Sequence, residues 1–179
     1  SGTYRVAGLQ PGSYRVQFVP PPELGLAAQW YAGATTMASA TPVVLQTGQA
    51  ATKVDGALVP GGIVRGKVMR AGAPYSGGAV QIRTADGSGL VAQAGVLAGD
   101  YVVLAVPAGT YQVWHVPSFV ETAPSVYNGA ASPATATPVT VAAGATTANV
   151  DLAVTEAGSI SGTVRSNGSP LSGAGVKVI

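Results

Sequence analysis

The chain has 179 residues and is 47% hydrophobic, long enough to bury one or two cores. Only 9% of the residues are charged, where about 25% is usual, so Ser, Thr, Gly, Ala, Asn and Pro must cover the surface and little charge repulsion keeps molecules apart. The net charge of +2 comes from nine scattered Lys and Arg, not the clustered basic footprint that nucleic acid needs; no apolar run reaches the ~18–20 residues of a membrane span; and the absence of Cys excludes disulfides, thiolate metal sites and Cys nucleophiles.

Helical periodicity is missing along the whole chain. Gly (25) and Pro (13) punctuate short Val/Tyr/Thr-rich runs, which predicts an all-β sandwich. The chain opens with SGTYRVAGLQPGSYRVQFV. Tyr4 and Val6 alternate, Pro11-Gly12 interrupts, then Tyr14, Val16 and Phe18 alternate, as in a half-buried hairpin. A loop with Trp30 and Tyr31 follows, then two predicted strands, TPVVLQTG from Thr41 and TKVDGALV from Thr52. From Gly62 the pattern runs through IVRGKVMR, AVQIRT and a turn at Asp86-Gly87. It then reaches LAGDYVVLAVPAGTYQVWHV, the same hairpin written again with Tyr101, Val103, Pro107, Gly109, Tyr111, Val113 and His115. TPVTVAAG and TANVDLAV close this copy, and SISGTVRSNGSPLSGAGVKVI begins a third.

The repeat holds residue by residue. Gly2 and Gly99, Tyr4 and Tyr101, Gly12 and Gly109, and Tyr14 and Tyr111 each lie 97 positions apart. Beyond one variable loop the spacing is 96: Tyr31 and Tyr127, Gly48 and Gly144, Asp55 and Asp151, Gly66 and Gly162, Pro74 and Pro170. The unit is therefore close to one sandwich domain of seven strands, and copies in such arrays touch their neighbours only. The predicted organisation is a C-terminal half of a repeat over 1–61, a complete repeat over 62–157 and the first two strands of a further repeat over 158–179.

Gly162-x-Val164, Gly168-x-Pro170-Leu171-x-Gly173-Ala174-x-Val176, Gly99-x-Tyr101 and Pro107-x-Gly109-x-Tyr111 resemble the motifs of carboxypeptidase regulatory-like domains. These have a prealbumin-like sandwich and are related to the Cna-B and SdrD-B repeats of bacterial surface proteins. The resemblance spans nearly the whole chain. It implies tandem seven-stranded prealbumin/Ig-like β-sandwiches in an extracellular, cell-surface protein of stalk-like or adhesin-like role. Cna-B domains often carry a Lys–Asn isopeptide bond. Here Lys67 is replaced by Thr163 in the next copy, and the late-strand positions hold Asp55 and Asp151, which speaks against that bond.

No catalytic constellation emerges, so no enzyme and no cofactor or metal are expected. His115 is the single histidine and aligns with the inward Phe18; a packed, hydrogen-bonded histidine is expected. Gly12 and Gly109 are expected at φ > 0 in the hairpin turns. Tyr14 and Tyr111 are expected to bond backbone as tyrosine corners. Asp55 and Asp151 read as turn or strand-end hydrogen-bonders. Asn167-Gly168-Ser169 fits a glycosylation sequon but is first a turn signal. Trp114 faces solvent by alternation. Trp30, Tyr31 and Tyr127 either plug the sandwich ends or, with Trp114, form a contact surface for sugar rings or a neighbouring subunit.

Ser1 aligns with Ala98 and Ile179 with Arg83. Each end segment alone exposes half a core and unpaired edges. The expectation is that they complete each other: Ile160, Val164, Val176 and Val178 of one molecule dock into the N-terminal half of the next, propagating head to tail. Continuation within a longer repeat chain gives the same geometry. The leading functional expectation is a structural extracellular repeat building a fibre, stalk or surface filament. The alternatives are an adhesin or carbohydrate-binding module, or an accessory region of a secreted enzyme.

Overall fold

The computed structural model describes residues 2–118, 122–129 and 133–177. Among them the chain is all-β, 40% strand, with no helix of seven residues or more. Residues 2–61 carry β1 (Gly12–Tyr14), β2 (Gln17–Phe18), β3 (Gln29–Trp30) and β4 (Val43–Leu45). Residues 62–157 carry β5 (Gly62–Arg70), β6 (Ala73–Pro74), β7 (Ala79–Thr84), β8 (Leu90–Gly95), β9 (Asp100–Val106), β10 (Gly109–Val116), β11 (Ser125–Val126), β12 (Val139–Val141), β13 (Thr146–Thr147) and β14 (Leu152–Val154). Residues 158–177 carry only β15 (Arg165–Ser166) and β16 (Ser169–Pro170).

The central segment forms two five-stranded sheets. In one, β8, β7 and β10 lie side by side, and β10 also pairs with β11 and β12, all antiparallel. In the other, β5 pairs antiparallel with β9 and β6 and parallel with β13 and β14. Period-two alternation sends Val64 and Val68 of β5, Tyr101 and Val103 of β9, and Leu152 of β14 inward. Val80 and Ile82 of β7, Tyr111 and Val113 of β10, and Val141 of β12 meet them from the other sheet in one buried cluster. β-branched side chains dominate this core, as a pleated, closely packed surface favours.

The stretch 97–116 is not a hairpin. β9 pairs with β5 and β10 pairs with β7, β11 and β12, so the chain crosses from one sheet to the other between them. Alternation cannot separate these cases, because both strands bury every second residue either way. The glycines expected at φ > 0 are corrected by the same geometry. Positive φ falls at Gly8 (80°) and its counterpart Ala105 (59°), not at Gly12 or Gly109. Gly109 is needed because a Cβ there would stand 2.9 Å from the Tyr111 hydroxyl. That hydroxyl donates to the Pro107 carbonyl at 2.9 Å, and Tyr14 donates to the Gln10 carbonyl at 2.5 Å.

The backbone follows the sequence period. β1 with β4 reproduces β10 with β12 in the same register, and β2 with β3 reproduces β10 with β11. β15 with β16 reproduces β5 with β6. Positive φ recurs at Ala32 and Asn128, Lys53 and Asn149, and Ala71 and Asn167. Asn167 and Gly168 both take positive φ (49° and 82°), the primed-turn geometry expected for Asn-Gly.

Some predicted strands do not form. Residues 3–9 and 52–59 are not in strand conformation, although their counterparts include β9 and β14. Residues 158–164 and 174–177 are likewise not strands, although they match β5 and β7. The reason is the ladder. β9 and β14 owe their hydrogen bonds to β5, and the counterpart of β5 lies in the third segment, which among the described residues has no ladder with the first. A strand exists only with a partner, so segments whose partner is missing stay irregular.

Candidate functional site

The most conspicuous feature outside the central core is apolar surface on both end segments. Tyr4 is 53% exposed and Val6 66%, while their counterparts Tyr101 and Val103 are 2% and 1% exposed. At the other end Ile160 is 82% and Val176 75% exposed, while Val64 and Val80 are fully buried. Val164 is exposed where Val68 is buried. Val178 lies outside the described residues. Each such side chain gains about 1.5–3 kcal/mol on moving from water into a core.

The N-terminal patch is concave. Tyr4, Val6, Val16, Phe18, Leu26 and Leu58 line a groove of about 440 Å³. Tyr4 holds its position without a lid, because its hydroxyl donates to the Val54 carbonyl at 2.5 Å, as Tyr101 donates to Val150 at 2.5 Å. Phe18 packs edge-on to Tyr4 at 5.9 Å. Phe18 also covers Gly56, where a Cβ would stand 2.5 Å from the ring. The central copy places His115 and Leu152 at those two positions.

The four aromatic candidates are distributed differently. Trp30 lies on a strand, β3, opposite Gln17, and is half-buried; the loop assignment is corrected here by the β2–β3 ladder. The Tyr31 backbone N–H donates to the Val16 carbonyl, and its ring is half-buried. Tyr127 packs against the central core from a short 3-10 turn. Trp114 is half-buried on the outer face, where it donates to Gln112 at 3.0 Å with the Arg83 guanidinium 5.1 Å above its ring. Among the described residues no ring contact joins these four.

His115 is fully buried, with Nε2 3.0 Å from the Gly77 carbonyl and Tyr75 edge-on at 5.6 Å. Among the described residues its Nδ1 has no partner, and no three metal-ligating side chains gather. Asp86 is fully exposed. The Thr84 hydroxyl and then the Ser88 groups donate to it and hold its carboxyl down at about 2, within the turn expected there. Lys67 Nζ turns to Asp100 at 3.2 Å, both exposed. Asp151 accepts the Lys67 backbone N–H at 2.8 Å. Sequence reasoning saw Asp151 as a turn or strand-end hydrogen-bonder but not its target; the adjacent Gly66, which brings β5 against residue 150, was the available signal.

No family model matches the chain, and no curated protein matches it.

Proposed function

We propose that this chain is a structural β-sandwich repeat that assembles end to end into a fibre, stalk or surface filament. The single observation carrying the reading is the correspondence of the two exposed faces. The apolar groups bared at 4–9 and at 160–176 are the counterparts of groups that pack together in one buried cluster of the central core, largely on the adjacent strands β5 and β9. Low charge removes the usual barrier to such contacts. The resemblance to carboxypeptidase regulatory-like and Cna-B-type repeats supports an extracellular, cell-surface setting. An open head-to-tail contact does not close on itself, so it propagates. Negative-stain electron microscopy of the purified chain tests this. Thin filaments with a repeating bead are expected, and a uniform field of single particles at high concentration would refute it.

A further inference from the structure

We infer that residues 158–164 of one copy enter the N-terminal groove of another in one register, and that glycines fix that register. This inference rests on the end-to-end reading above and adds its geometry. In the central segment Gly66 lies opposite Tyr101, and Arg65 opposite Val102. The period converts these pairs into Gly162 opposite Tyr4 and Ser161 opposite Arg5.

The glycines show why slippage is excluded. At Gly66 a Cβ would stand 2.3 Å from the Val150 carbonyl oxygen, which is backbone and cannot yield. At Gly62 it would stand 2.3 Å from Val141 Cγ1. Their counterparts Gly162 and Gly158 have nothing within 4 Å. Neither has the positive φ that favours glycine, so backbone conformation does not account for glycine at either place. A second copy seated here supplies the Val54 carbonyl and Leu45, the counterparts of Val150 and Val141, against these two glycines. One further hydrogen bond follows. Asp151 accepts the Lys67 N–H, so Asp55 of the receiving copy accepts the Thr163 N–H of the incoming one. A shift by one residue would turn Ile160 and Val164 out of the core and set Ser161 under Tyr4.

The test compares Gly162→Val with Ser161→Val by sedimentation velocity, with thermal unfolding run alongside. Ser161 matches the exposed Arg65, so its side chain points away from the core. Both variants are expected to unfold as the parent does when dilute. Gly162→Val is expected to weaken association by about tenfold or more, with Ser161→Val unchanged. As a second readout, Arg5→Cys chains mixed with Ser161→Cys chains are expected to form a disulfide-linked pair on oxidation. If the parent assembles and Gly162→Val assembles equally well, the register is overturned while end-to-end assembly stands. If the parent stays a single chain at all concentrations, both fall.

Discussion

Residues 2–61 and the matching part of the central segment are nearly one structure in two environments. Both tie a tyrosine hydroxyl to the backbone four residues earlier, at Tyr14 and at Tyr111. Both tie a second tyrosine across the segment, Tyr4 to Val54 and Tyr101 to Val150. They differ in what lies against them. Beside Tyr101 runs β5, and the tyrosine is buried; beside Tyr4 there is no such strand among the described residues, and the ring is half in water. Hydrogen bonds made within the segment therefore survive without the covering strand, whereas strand character and burial do not. The driving term is apolar area removed from water, and that area is set by the neighbour rather than by the residue.

The sharpest way to break this comparison is to fill the two equivalent glycines. Gly66→Val should cost more than about 3 kcal/mol, since the new side chain meets a backbone carbonyl in a packed core. Gly162→Val should leave the melting temperature of the dilute chain unchanged; equal losses at both positions would erase the contrast. Next in size, Val68→Ala should lower stability by about 2 kcal/mol in urea unfolding. Val164→Ala, its exposed counterpart, should change stability by less than ~0.5 kcal/mol. Tyr111→Phe should cost about 1 kcal/mol by stranding the Pro107 carbonyl, with a smaller loss for Tyr14→Phe, whose bond is exposed.

The smallest effect is a pH dependence. Burial raises the Tyr101 phenol above its ordinary 10.0, with the Asp151 charge adding to it, and burial also raises Tyr111. A phenol held neutral in the folded state contributes its full stability below the unfolded value. That contribution is lost as pH climbs from about 10 toward the folded value. Ultraviolet titration should show Tyr101 and Tyr111 ionising above the ordinary phenol value, and stability should decline above pH ~10. Ionisation of both at the ordinary value would contradict the burial.

Much of this was legible in the residues. IVRGKVMR and AVQIRT coincide with β5 and β7, because inward valines and isoleucine alternate with outward polar groups there. Tyr14 and Tyr111 were readable as corners from Pro/Gly followed by Tyr. The crossing between β9 and β10 was not legible, since period-two alternation is the same in a hairpin and in a passage between sheets. The turn conformation hid in the same place. Ala105 and Lys53 take positive φ without being glycine, and only the alignment of Ala105 with Gly8 hinted at it. Residues 52–59 read as a strand by composition, yet a strand is a property of a pair, and no alternation within one segment reports whether its partner is present.

Under the proposed end-to-end assembly, residues 3–9 acquire a ladder when a second copy arrives. Hydrogen–deuterium exchange of the intact chain, followed as concentration rises, measures this directly. The amides of 3–9 and 160–164 should exchange fast when dilute and slow together as the solution is concentrated, while β7 and β10 stay protected throughout. Fast exchange at both end segments at every concentration would contradict it.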